Sequence, residues 1–144
     1  MATTATITLT SADFAGDPVN VSKTATCTKA GTTTDLDQSS GLNRVHLRST
    51  TNKVLLAANA EGNDLAAKVY IINKAIDPTL YLTITINAQT IGKLYAGDWM
   101  FIPWSQTDVA ADIEIAATNW TSSTGDVPLE YALFHEDTDF LTNA

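Results

Sequence analysis

The sequence predicts an all-β protein: a single antiparallel β-sandwich, jelly-roll-like, of about 8–10 short strands. Three observations carry this expectation. Apolar and polar residues alternate with a period of two, turn-forming residues cut the chain at short intervals, and 23 of the 144 residues are threonine. A helix would smear a period of two around its circumference, and β-branched side chains suit a pleated, half-buried surface.

Strands are expected near residues 4–9, 18–28, 44–49, 53–58, 67–73, 79–87, 90–95, 98–104, 112–118 and 128–135. In 44–49, Val45 and Leu47 alternate with Arg44, His46 and Arg48. In LYLTITIN, Leu80, Leu82, Ile84 and Ile86 share one face, and Tyr81, Thr83, Thr85 and Asn87 the other. Ile113 and Ile115 alternate with Asp112 and Glu114, and Leu129, Tyr131 and Leu133 flank Glu130 and Ala132. Between strands stand Gly16-Asp17-Pro18, Gly31, Ser39-Ser40-Gly41, Glu61-Gly62-Asn63-Asp64, Asp77-Pro78, Ala96-Gly97-Asp98 and Thr124-Gly125-Asp126, residues that accept or fix turn dihedrals. The one helical alternative, Val54–Ala67, is interrupted by Gly62-Asn63-Asp64.

Hydrophobic residues at 44% and charged residues at 17% fit one globular domain. Surface scaling gives roughly 7,000 Å² folded against roughly 22,000 Å² unfolded, enough burial for a core without disulfides. Cys27 is the only cysteine. Between Thr26 and Thr28 it reads as a small packed residue, because a nucleophile or metal site needs partners at defined spacing. No run approaches the ~18 apolar residues of a membrane span, and MATTATITLT lacks a basic, then apolar, leader, so no membrane partner is expected. The two N-x-T/S triplets therefore carry no weight as glycosylation sites. A net charge of −8 argues against nucleic acid, whose binding rests on clustered Lys and Arg.

Residues 1–40 are polar and poor in large apolar groups, whereas all three tryptophans lie after residue 80. The segment 1–40 is expected to be an edge strand or a subunit-bridging arm, and 41–144 the sandwich body of a single domain.

No catalytic set, cofactor site or metal site is expected. His46 and His135 are read as outward-facing on their strands. His135-Glu136-Asp137 fails the H-E-x-x-H spacing and reads as a solvated acidic run. No phosphate cradle or nucleophile elbow is present. Asp13, Asp17, Asp35, Asp37, Asp64, Asp108, Asp126, Asp137 and Asp139 lie in or near turns, where dispersed Asp is ordinary.

Trp99-Met100-Phe101-Ile102-Pro103-Trp104 is apolar on both faces. Such a strand is either central in the core or presents an apolar face that another chain must cover. Pro103 would end it or force a bulge. Candidate interface residues are Trp99, Phe101, Trp104, Ile7 and Leu9, and a sugar-stacking platform is a weaker alternative for the tryptophans.

The order VYIINKA (69–75), LYLTITIN (80–87), IGKLYAGDWMFIPW (91–104), DIEIAAT (112–118) and PLEYALFHED (128–137) resembles small virion structural proteins of tailed bacteriophages, including phages of marine cyanobacteria. The likeness covers about half the chain; residues 1–60 lie outside it. The resemblance implies a non-enzymatic capsid decoration (cement) protein on the outer surface of the virion. It would bind the major capsid protein and form a homo-oligomer, with a trimer favoured. The alternative is a minor tail or neck component, or a receptor- or glycan-binding module of the particle.

Overall fold

The computed structural model describes residues 2–12, 19–36, 38–58, 66–105 and 110–136. Among these are eleven strands and no helix: β1 (Thr3–Ser11), β2 (Val19–Cys27), β3 (Gln38–Ser39), β4 (Asn43–Leu47), β5 (Lys53–Leu56), β6 (Ala67–Asn73), β7 (Tyr81–Ile86), β8 (Gln89–Tyr95), β9 (Trp99–Pro103), β10 (Ile113–Ala116) and β11 (Val127–His135). The chain is all-β, as its alternation predicts, and the Val54–Ala67 helix is not formed where it is described: Val54–Leu56 belong to β5.

Two antiparallel sheets make the body. One has the order β5-β10-β7-β8. The other runs β3-β11-β6-β9, with β4 on the same side of β11 as β3. The strands alternate as the sequence requires. Val69, Ile71, Val127, Leu129 and Leu47 point from the second sheet to Leu82, Ile84, Ile113 and Ile115 of the first, and together they form one buried cluster. Burial of these branched chains, at about 1.5–3 kcal/mol each, drives the two sheets together.

The turns follow local chemistry. β7 and β8 are joined by Asn87-Ala88, both at positive φ (50° and 59°), as a two-residue hairpin of the right twist demands. Gly97 has φ 86° and donates its N–H to the Asn73 carbonyl at 2.9 Å, while the Asp98 carboxylate accepts from Tyr95 N–H at 2.9 Å. Gly41 has φ 70° and separates β3 from β4, so Ser39-Ser40-Gly41 is partly strand and partly turn.

Asn73 ends β6 fully buried. Its Nδ2 donates to the Leu80 and Leu94 carbonyls at 3.2 and 2.9 Å, and its Oδ1 accepts from Ala75 N–H at 2.9 Å. A buried amide is tolerated because its hydrogen-bonding groups are partnered.

The N-terminal segment departs from the edge-strand expectation. Among the described residues β1 and β2 pair only with each other, in a two-stranded sheet outside both body sheets. The aromatic strand departs from the central-core expectation, since β9 is the outermost strand of its sheet.

Candidate functional site

The β1–β2 register sorts the arm into two unlike faces. Thr4, Thr6, Thr8 and Thr10 lie opposite Thr26, Thr24, Ser22 and Asn20, and the Thr6 and Thr24 hydroxyls are 2.7 Å apart. Ala5, Ile7 and Leu9 lie opposite Ala25, Lys23 and Val21 on the other face, followed by the pair Ser11 and Val19. One face is hydroxyl and amide, the other largely aliphatic. An isolated two-stranded ribbon is marginal in water, so an apolar face of this kind requires cover.

The arm is held at its base. Cys27 and Leu36 are buried, and Leu36 N–H donates to the Cys27 carbonyl at 3.0 Å. The Glu136 carboxylate accepts from Ala30 N–H at 3.1 Å and from Ala66 N–H at 2.6 Å. Glu136 is thus buried and structural. The solvated acidic run expected there is corrected at this residue; Asp137 lies outside the described residues. The loop and the start of β6 each lack a partner for one N–H at this point, and a carboxylate satisfies both.

Along the base of the arm runs the outer face of the β11-β6-β9 sheet. Ladder parity puts Tyr70 and Ile72 of β6, Trp99 and Phe101 of β9, and Ala132 and Phe134 of β11 on that face. The Phe101 and Phe134 rings are tilted at 55°, with centroids 6.5 Å apart. Between this aromatic wall and the arm is a groove of about 600 Å³, bordered on the arm side by Ala5, Ile7, Lys23 and Ala25 and also by Thr4 and Thr6 of the hydroxyl face. Tyr70, Trp99, Phe101 and Phe134 line its other side, and among the described residues no carboxylate side chain does.

The sequence-derived candidates separate here. Ile7, Trp99 and Phe101 come together at the groove. Leu9 lies beyond it on the arm and is 48% exposed. Trp104 is a correction: it is 6% exposed, belongs to the core cluster, and donates Nε1–H to the Ala111 carbonyl at 2.7 Å. The strand ends at Pro103, and the following residue turns inward. Trp120 packs partly buried against the core, so Trp99, 50% exposed, is the tryptophan open to a ligand. Sequence reasoning missed Tyr70 and Phe134. The signal was present, because VYII and YALF are apolar at their outward positions, as β9 is.

At the β4 end of the same face the surface becomes ionic. Arg48 grips Asp126 with Nε–Oδ1 at 2.5 Å and Nη2–Oδ2 at 2.8 Å, and His46 Nδ1 is 3.8 Å from the same carboxylate. Arg44 pairs with Glu130 through Nη2 and, at 3.1 Å, through Nε. The guanidinium hydrogen bonds hold both carboxyls below their ordinary pKa range. His46 faces outward as expected. His135 does not: it shares the parity of Leu129 and Leu133, is half-buried, and sits with Nδ1 2.7 Å from the Glu136 carbonyl oxygen.

Among the described residues no group of three His, Cys, Asp or Glu side chains could hold a metal ion. Asp77 is engaged by the Thr79 hydroxyl and N–H, which lower its pKa, and Asp112 by Ala58 N–H. Asp13, Asp17, Asp37, Asp64, Asp108, Asp137 and Asp139 lie outside the described residues. Comparison with protein-family models, curated proteins and solved structures finds no match to this chain.

Proposed function

We propose that this chain is a non-enzymatic structural protein of a tailed-bacteriophage virion, a decoration protein that binds the outer capsid shell and stabilises it. The observation that carries the reading is the arm: a two-faced ribbon standing outside both body sheets, beside an aromatic sheet face with Trp99 half exposed. The groove sets these two apolar surfaces side by side, which suits contact with neighbouring subunits. Each such contact can be weak when several form together, since tethering raises the effective concentration of the next. The charge of −8 suits a surface that meets no nucleic acid.

Mass spectrometry and imaging of purified particles test the proposal. Many symmetric copies on the outer shell are expected; absence from the particle, or a few copies at one vertex, would remove the decoration role. A glycan-binding tail module is the second reading, favoured by the exposed indole of Trp99. Binding on a glycan array that is lost in Trp99→Ala would select it instead.

A further inference from the structure

The groove beside the arm has the size and lining of a small-molecule site. Its volume of about 600 Å³ falls within the range of such sites, about 300–1,000 Å³. The rings of Tyr70, Trp99, Phe101 and Phe134 form one wall and Ile7 stands on the arm side, so a body lying between them meets hydrocarbon on both flanks. The Phe101 and Phe134 rings are tilted at 55° to each other, an uneven wall that suits a flexible chain better than a flat ring. One cation joins this lining. Lys23 is directly opposite Ile7 in the β1–β2 register and borders the same groove. Arg44 and Arg48 are held by carboxylates and Lys93 lies over the Tyr81 ring, whereas Lys23 makes no ion pair or ring contact among the described residues.

We propose that the groove binds a small amphipathic carboxylate of the fatty-acid class, with its hydrocarbon body against the aromatic wall and its head paired with Lys23. The wall selects the body, because apolar surface taken out of water by apolar side chains is favourable whatever its exact shape. Lys23 selects the head. Its methylene stem can lie along apolar surface while the ammonium stays at the wet rim, where a carboxylate meets it in a charge-assisted hydrogen bond. Both charges keep water on one side, so the pair avoids the desolvation cost of a buried ion pair. The inference goes beyond the shell-binding reading and does not rest on it. A bound acid would cover the half-exposed indole of Trp99 and compete with any other partner of that face.

Titration calorimetry of the full chain with decanoate, below the concentration at which decanoate forms micelles, tests this without particles. Saturable sub-millimolar binding of one molecule per chain is expected. Octanoate should bind about tenfold more weakly, the effect of leaving out two buried methylenes. Decanol and decyltrimethylammonium, with the same tail and no negative head, should each bind more weakly than decanoate. Lys23→Met should weaken decanoate about fivefold and leave decanol unchanged, while Lys93→Met, which removes the same charge on the other sheet, should change neither. Trp99→Ala should weaken decanoate and decanol alike, by about tenfold. The head-group comparison uses the wild type alone, so it decides the matter even where a variant is misfolded by circular dichroism. Absence of saturable binding would overturn the proposal, as would decanol or the cation binding as tightly as decanoate, or Lys23→Met binding decanoate like the wild type. Sedimentation of the same samples covers the remaining occupant: a dimer that excludes decanoate would show that a second copy fills the groove, and would overturn it as well.

Discussion

The Asn73 side-chain amide donates to the Leu94 carbonyl at 2.9 Å, joining the end of β6 in one sheet to β8 in the other. The same nitrogen reaches the Leu80 carbonyl and Asn73 Oδ1 holds Ala75 N–H, so a single side chain fixes how the two sheets meet at this end. Asn73→Leu keeps the approximate volume and removes all three bonds. Each stranded buried group costs about 1–3 kcal/mol, so a net loss of about 2–4 kcal/mol is expected, read as a shift in urea midpoint with unchanged m-value. A loss below about 1 kcal/mol would mean that the carbonyls find other donors and that the sheets are aligned by apolar packing alone.

The ionic end of the outer face predicts an acid-dependent stability. Asp126 and Glu130 have folded-state pKa values lowered first by hydrogen bonds from Arg48 and Arg44. A lowered folded value means that the unfolded chain takes up protons first as pH falls. The stabilisation is therefore complete above the unfolded values, about 3.9 for Asp and 4.3 for Glu, and drains away below them. From about pH 5 to 8 these two groups should add no slope. Below about pH 4 the wild type should lose stability faster than a variant carrying Arg44→Met and Arg48→Met. Both pairs are partly open to solvent, so high salt should shrink the difference. Parallel acid profiles of the two proteins would refute the pairing as a contributor.

A turn with a non-optimal residue predicts a gain. Ala88 sits at φ 59° in the β7–β8 hairpin, where a Cβ is disfavoured by about 1–2 kcal/mol. Asn-Gly is the preferred pair for such a turn. Ala88→Gly should relieve that strain, offset in part by the greater freedom of glycine when unfolded, for a net stabilisation of about 0.5–1 kcal/mol. Thermal unfolding measures it. Destabilisation would mean that the Ala88 methyl makes contacts that outweigh the backbone term.

Period-two patterning made the body legible from sequence. β6 spans Ala67–Asn73, the range expected for it, and β10 and β11 lie where the Ile113/Ile115 and Leu129/Leu133 alternation predicts them. Patterning says which residues share a face, but not which strands are neighbours. The apolar run at β9 therefore read as a central strand, when it is an edge strand whose outer face is partly lined by the arm. The arm was hidden for a related reason. Its apolar face is built from small and aliphatic residues scattered among threonines, and becomes continuous only when Leu9 is set against Val21 and Ala5 against Ala25. Glu136 shows the limit of charge reading, because only the chain path reveals two backbone N–H groups waiting for a carboxylate.

Two tryptophans five residues apart should answer differently to the same substitution. Trp104 is buried in the cluster between the sheets with its indole N–H satisfied by Ala111, so Trp104→Ala should cost about 3–5 kcal/mol. Trp104→Phe keeps much of the bulk and leaves the Ala111 carbonyl without its donor, for a loss of about 1–3 kcal/mol. Trp99 stands half exposed on an edge strand, and truncating it uncovers little that water does not already reach. Trp99→Ala should change unfolding stability by less than about 1 kcal/mol, and under the proposed function it should weaken binding to the shell. Chemical denaturation followed by circular dichroism gives both numbers. If Trp99→Ala destabilised the isolated chain as strongly as Trp104→Ala, the indole would be serving this chain's own fold, and the aromatic wall would not be a surface held open for a partner.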